Sequence, residues 1–170
     1  MHGLSRLCGL EEFFGKYFSN LPRVDWNNKD WVIYAVKKDG NNLKFVSSIF
    51  KADRDIVLAA VTENPYAFQY ANSVLKSDKA FAKIILKNSL ESFSNLSASL
   101  RQDRDLIIYA IRLFSKDNGV RVGHGGILSI IGEEFCNDKE LVIKAIKKDA
   151  RGLEYASSEL KADKEVVLSA

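Results

Sequence analysis

D-R-D-I-V-L-A-A-V, Asp53 to Val61, is the stretch that decides the fold, because it writes out the start of a helix. Asp53 is a favoured N-cap whose carboxylate can accept from the free N–H groups of the first turn. Asp55 follows near the positive end of the helix dipole. Counting Asp53 as position 0, Ile56, Val57, Ala60 and Val61 fall at positions 3, 4, 7 and 8. At 100° per residue these four share one face, so the segment reads as an amphipathic helix.

The same pattern returns in both directions along the chain. N-K-D-W-V-I-Y-A-V starts at Asn28, D-K-A-F-A-K-I-I-L at Asp78, D-R-D-L-I-I-Y-A-I at Asp103, D-K-E-L-V-I-K-A-I at Asp138 and D-K-E-V-V-L-S-A at Asp163. Successive starts are separated by 25, 25, 25, 35 and 25 residues. The long interval carries ten extra residues, which fall in the stretch Ser115 to Gly126. Asn28, Asp53, Asp78, Asp103, Asp138 and Asp163 are thus expected as structural helix caps. A second pattern runs between them: L-K-F-V-S-S-I-F (Leu43 to Phe50), F-Q-Y-A-N-S-V-L (Phe68 to Leu75), F-S-N-L-S-A-S-L (Phe93 to Leu100), L-S-I-I-G-E-E-F (Leu128 to Phe135) and L-E-Y-A-S-S-E-L (Leu153 to Leu160). Its apolar spacing of three and seven predicts a second helix in each unit, including one over 127–135. Turns such as K-D-G-N-N (Lys38 to Asn42) and E-N-P-Y (Glu63 to Tyr66) separate it from the first.

A helix of ten residues is about 15 Å long and marginal alone in water, so each hairpin must lean on its neighbours. Position 5 carries Ile33, Leu58, Ile108, Ile143 and Leu168, with Lys83 as the exception. That widens the apolar stripe as contact with the next repeat requires. The expected fold is all-α: an elongated or superhelical α-solenoid of short helical hairpins with a 25-residue repeat. The repeat domain spans 25–170, with the insertion at about 115–126. Residues 1–24 form an N-terminal capping helix or leader, amphipathic through Leu4, Leu7, Leu10, Phe14, Phe18 and Leu21 and stopping near Pro22.

The signatures D-x-D-x-V-L-x-A-V and L-x-Y-A-S-x-x-L resemble the tandem repeats known as domain of unknown function 4116. The resemblance runs from about Asn28 to Ala170 and is most specific in L-E-Y-A-S-S-E-L-K-A-D-K-E-V-V-L, Leu153 to Leu168. It implies a short helical repeat of protists and amoeba-associated bacteria, found in secreted effectors among others. It implies no activity and no catalytic residues. The chain departs from the pattern at 80–83, at 92–99 and in the insertion.

Composition narrows the function classes. The 170 residues hold Lys+Arg 25 and Asp+Glu 22, a formal charge of +3, too small to select a partner by charge alone. With 2 Pro, 10 Gly, 2 Cys and 2 His, the chain does not read as disordered, disulfide-stapled or zinc-bound by the usual four ligands. The longest apolar run, Ile56 to Val61, is far short of the roughly 20 residues of a transmembrane helix. Glu11 and Glu12 interrupt the place where a signal peptide needs its apolar core. Cys8 and Cys136 form no C-x-x-C motif, so two free thiols in a cytoplasm-like reducing compartment are expected.

Nothing in the sequence forms a unique catalytic constellation. The D-x-D and D-x-E pairs invite a metal or acid–base reading, yet they recur at one helical phase, as caps do. Gly119 to Gly126 lacks the Walker lysine and any preceding strand, so it reads as a surface loop rather than a phosphate cradle. The helix expected between His124 and Cys136 holds them about 15 Å apart, beyond proton-transfer reach. No cofactor and no metal are expected.

Basic residues repeat too: Lys29, Arg54, Lys79, Arg104, Lys139 and Lys164 at position 1, and Lys51, Lys76, Arg101 and Lys161 two residues before a cap. Acids flank the position 1 bases, so a solvated edge is favoured over a nucleic-acid track. Trp31, at position 3, is expected in the core. Tyr34 and Tyr109 at position 6, with Arg121 and His124 in the insertion, are the candidate partner-binding residues, since exposed aromatic residues anchor interfaces. The expected function is a non-catalytic helical-repeat module that binds a protein, as part of a bacterial effector acting in a host cell. The alternatives are nucleic-acid or anionic-surface binding through the basic ladder, and an accessory region of an enzyme whose catalytic part lies outside this chain.

Overall fold

The computed structural model describes residues 27–114, 126–132 and 135–170; the leader and nearly all of the insertion, Arg121 and His124 included, lie outside them. Long α-helices start at the six expected places: Lys29–Lys38, Arg54–Glu63, Lys79–Asn88, Arg104–Leu113, Lys139–Ile146 and the shorter Lys164–Leu168. Each is capped by its Asn or Asp. Asn28 Oδ1 accepts from Asp30 N at 2.9 Å, Asp53 Oδ1 from Asp55 N at 3.0 Å and Asp163 Oδ1 from Glu165 N at 2.9 Å. Asp78, Asp103 and Asp138 accept from the amide one residue further on. Positions 3, 4, 7 and 8 form the core, as Ile56, Val57, Ala60 and Val61 do in the second unit.

Trp31 departs from that register. It is only partly buried, whereas Ile56, Phe81, Leu106, Leu141 and Val166 at the same position are wholly buried. No long helix precedes it among the described residues, and position 3 faces back toward the preceding unit.

The second element is not one helix. In units one, two, three and five it is a 3-10 helix followed by a separate short α-helix: Gly40–Lys44 then Ser48–Lys51, Pro65–Tyr70 then Ser73–Lys76, Leu90–Asn95 then Ala98–Arg101, and Ala150–Tyr155 then Ser158–Ala162. The units are therefore three-part rather than simple hairpins. Two residue columns explain the change. At position 11, Asp39, Asn64 and Asp149 cap the 3-10 helix, each accepting from the amide two residues on. At position 19, Ser47, Asn72, Ser97 and Ser157 are extended, with ψ of 160, 147, 153 and 159, and precede a new short helix instead of continuing a long one; the side chains of Asn72, Ser97 and Ser157 also accept from its first-turn amides. The spacing of three fits 3-10 geometry, in which side chains at i and i+3 eclipse, and it buries Leu43 with Val46, Phe68 with Ala71 and Phe93 with Leu96.

In the fourth unit the helix expected over 127–135 is only Leu128–Ile131. It ends at Gly132, whose φ of 102 lies in the left-handed region that favours glycine.

The units stack in sequence. Each long helix packs on the next unit's long helix, and the 3-10 segments form a second row in which Leu128–Ile131 takes the fourth place, between the segments of the third and fifth units. One joint is very close. A Cβ on Gly40 would lie 2.4 Å from the Ala60 carbonyl oxygen of the next unit, so only glycine fits there. The main-chain amide at position 19 also reaches across: Asn72 N donates to Lys51 O at 2.9 Å, Ser97 N to Lys76 O at 2.9 Å and Ser157 N to Cys136 O at 2.8 Å. Among the described residues there is no β-strand.

Candidate functional site

The most regular polar feature of the surface is a ladder of ion pairs between units. The base at position 1 of one unit reaches the cap aspartate of the next and, where there is one, the acid two residues beyond it. Lys29 Nζ lies 2.7 Å from Asp53 and 3.4 Å from Asp55; Lys79 Nζ lies 2.6 Å from Asp103 and 3.7 Å from Asp105. Arg54 pairs with Asp78, and Arg104 with Asp138 and, at 2.6 Å, with Glu140. Lys139 Nζ lies 2.7 Å from Asp163 and 2.8 Å from Glu165. The third unit has Ala80 where the others carry the acid, so Arg54 has the cap alone, and its guanidinium sits 5.5 Å from the centre of the Phe81 ring.

Each cap aspartate thus serves two contacts, one carboxylate oxygen on its own helix amide and the other on the preceding unit's base. The Lys79 hydrogen bond holds Asp103 below its ordinary value of 3.8, and Lys139 does the same for Asp163. At Asp53 and Asp138 burial pushes the carboxyl up, but the base and the amide donors together outweigh it and the shift is downward. Lys29, Lys79 and Lys139 are raised above 10.5, each first by its hydrogen bond to the next cap.

Two bases of the second column, Lys51 and Lys76, are also engaged. Lys51 Nζ donates to Lys44 O at 2.8 Å and Lys76 Nζ to Gln69 O at 2.6 Å, so both satisfy carbonyls at the end of a 3-10 helix. A nucleic-acid track needs bases free to neutralise phosphates. Here the five bases from Lys29 to Lys139 face carboxylates.

The expected tyrosines do not converge. Tyr34 is exposed, edge-on to Trp31 at 6.1 Å, with Lys38 Nζ 5.6 Å from its ring centre. Tyr109 is half-buried; its hydroxyl donates to Lys83 O at 3.5 Å and Lys83 Nζ lies 5.5 Å from its ring centre, so it packs on the preceding unit. The two stand at the same register three units apart, with Ala59 and Ile84 at the positions between. Arg121 and His124 lie outside the described residues.

Sequence reasoning missed a different surface. Ile49 is 78% exposed and Val74 71%, at the same register on the short helices of consecutive units. Phe45 and Tyr66, on the same side elements, are exposed as well. A continuous helix over Leu43–Phe50 hides this, because the break at Ser47 resets which residues face outward. The signal available was the column Ser47, Asn72, Ser97 and Ser157, four capping residues in the middle of an apolar pattern.

A shallow cavity of about 520 Å³ is lined by Lys37, Asp55, Leu58, Ala59, Thr62 and Glu63. Among the described residues no three His, Cys, Asp or Glu side chains come together to hold a metal ion. Cys136 is buried, with its thiol 3.6 Å from Gly132 O. No helix among these residues is long and apolar enough to cross a membrane.

An all-α fold in which one three-part unit recurs, capped by the same aspartate and stitched to its neighbour by the same ion pair, defines a helical repeat protein. The chain belongs to the family described as Domain of unknown function (DUF4116), whose model matches residues 28–76, 53–101, 122–161 and 138–170. The first two matches are offset by the 25-residue register. No curated protein and no solved structure matches the chain.

Proposed function

We propose that this chain is a non-catalytic α-solenoid module that binds a protein partner, as part of a bacterial effector acting in the reducing interior of a host cell. The observation that carries the reading is the pair Ile49 and Val74, two aliphatic side chains exposed by 78% and 71% on successive units. A contiguous exposed apolar patch marks an interaction site, and the equal register of Ile49 and Val74 on neighbouring units supports reading them as one, bounded by Ser99 at that register in the third unit. Repeat stacking builds extended surfaces of this kind. The repeated acids and bases are accounted for by helix capping and by the ladder, which leaves the apolar ridge as the feature the fold does not use. The resemblance to repeats of amoeba-associated bacteria supports the effector setting.

Capture from host-type lysate tests the choice of surface. Ile49→Ser with Val74→Ser abolishes retention of the partner, whereas Tyr109→Ala leaves it intact. Capture that survives the first pair and is lost with Tyr34→Ala, Arg121→Ala and His124→Ala returns the site to the residues the sequence singles out. Retention by both sets contradicts the reading.

A further inference from the structure

The outward face of the long helices turns basic in the third, fourth and fifth units. At position 9 these carry Lys87, Arg112 and Lys147, all exposed, with an exposed Lys148 beside the last. Position 5 holds Ile33, Leu58, Ile108 and Ile143 packed against the core, but the third unit puts an exposed Lys83 there. The same unit has Ala80 in place of the acid at position 2. A base in the last turn of a helix answers the helix dipole, which accounts for Lys87 and Arg112. It does not account for Lys83 in mid-helix or for the missing acid.

These bases stand outside the ladder. Among the described residues no carboxylate forms an ion pair with Lys83, Lys87, Arg112, Lys147 or Lys148. The helix Arg104–Leu113 packs on both Lys79–Asn88 and Lys139–Ile146. Packed helix axes lie about 8–10 Å apart, so the bases form a strip about 20 Å long. It stops at the second unit, where Thr62 and Glu63 take positions 9 and 10. The acids at position 2, Asp105 and Glu140, lie about 10 Å away along the helix and are engaged by Lys79, Arg104 and Lys144.

We propose that this strip binds a single strand of nucleic acid by its phosphodiester backbone. Bases without a carboxylate partner can neutralise phosphates and release their counterions, as the paired bases of the ladder cannot. Positions 2 and 9 share one helix face, so the strip is narrow and bordered by acids. A strand lies along it, whereas a flat anionic membrane or a wide duplex meets the acids as well. All the bases but Arg112 are lysines, which meet phosphate as point charges; a carboxylate motif in a peptide is better matched by the arginine fork. Contacts to the backbone carry no sequence information, so RNA and DNA strands bind alike. The strip lies on the long helices and is separate from the Ile49 and Val74 surface on the short ones, so this inference does not rest on the protein-partner reading.

Fluorescence anisotropy of labelled, mixed-sequence RNA and DNA strands of about 15 nucleotides, near the upper site size of single-strand binders, tests it with the whole 170-residue chain in a salt series. Both strands bind at low salt, and the logarithm of affinity falls with that of salt by about 0.7 per phosphate contacted. Lys87→Gln with Arg112→Gln weakens binding several-fold and makes the slope shallower by about 1.4, the share of two contacts. Lys29→Gln with Lys51→Gln removes the same charge from groups already engaged and leaves the slope unchanged, as does Ile49→Ser with Val74→Ser. Unchanged circular-dichroism spectra confirm that the variants are folded. Absence of binding at low salt overturns the proposal, and so does a slope that ignores the strip substitutions or binding of only one of the two strands. Duplex DNA, anionic phospholipid vesicles or polyglutamate bound more tightly than the strands overturns it too.

Discussion

At the scale of single residues, the cap aspartates bind two levels of structure together. Asp103 receives the Leu106 amide on Oδ1 at 3.0 Å and Lys79 Nζ on Oδ2 at 2.6 Å. Asp103→Asn keeps an oxygen for the amide and loses the charge; Asp103→Ala loses both. Loss of a cap costs about 1 kcal/mol, so in urea unfolding the alanine variant is expected to be the less stable of the two, with only the asparagine variant's deficit vanishing in high salt. The ladder also fixes a pH window. Its aspartates titrate below 3.8 in the folded chain, so their contribution is complete above that value and disappears as pH falls through the lowered folded values. Its lysines titrate above 10.5, so theirs is complete below that value and is lost as pH rises past it. The thermal midpoint is therefore expected to be flat from about pH 5 to 9 and to fall in stronger acid and stronger base, as a scan extended beyond both limits would read.

At the scale of elements, the long helices were legible and the second elements were not. Asp53, Ile56, Val57, Ala60 and Val61 agree on cap, phase and face, and tertiary packing endorses that local preference. In Leu43–Phe50 the apolar spacing is compatible with an α-helix, but Asp39 caps a 3-10 turn with its side chain, and the extended backbone of Ser47 breaks the run before a new helix. Ser97 shows what decides the contest. Its amide leaves its own unit and donates to Lys76 O at 2.9 Å, a long-range bond that periodicity within one unit does not encode. Its φ of −59 suits proline, and Leu96 before it has φ −66 and ψ 160, also compatible. Ser97→Pro therefore removes the donor with little backbone strain. Beyond the deficit of Ser97→Ala, it is expected to cost about 1 kcal/mol, the net worth of one hydrogen bond, measured by denaturant unfolding of both variants. The candidate site suffered from the same blindness, since Ile49 turns outward only because the helix restarts at Ser48.

At the scale of the whole molecule, the register of 25 residues turns a near-neutral chain into an array. The +3 total conceals five repeated cross-unit ion pairs along one edge, while Ile49 and Val74 leave apolar side chains exposed on the short helices. Stacked units hold one another through nearest-neighbour interfaces, so a local loss of packing should fade with distance along the chain. The most direct measurement is native-state hydrogen exchange, read unit by unit, in the Ile56→Val variant. Ile56 is wholly buried in the second unit, and losing one methylene there costs about 0.5–1.5 kcal/mol. The array predicts that amide protection drops most in residues 28–101 and little in 138–170. An equal loss of protection in every unit would contradict it and identify a single cooperative core.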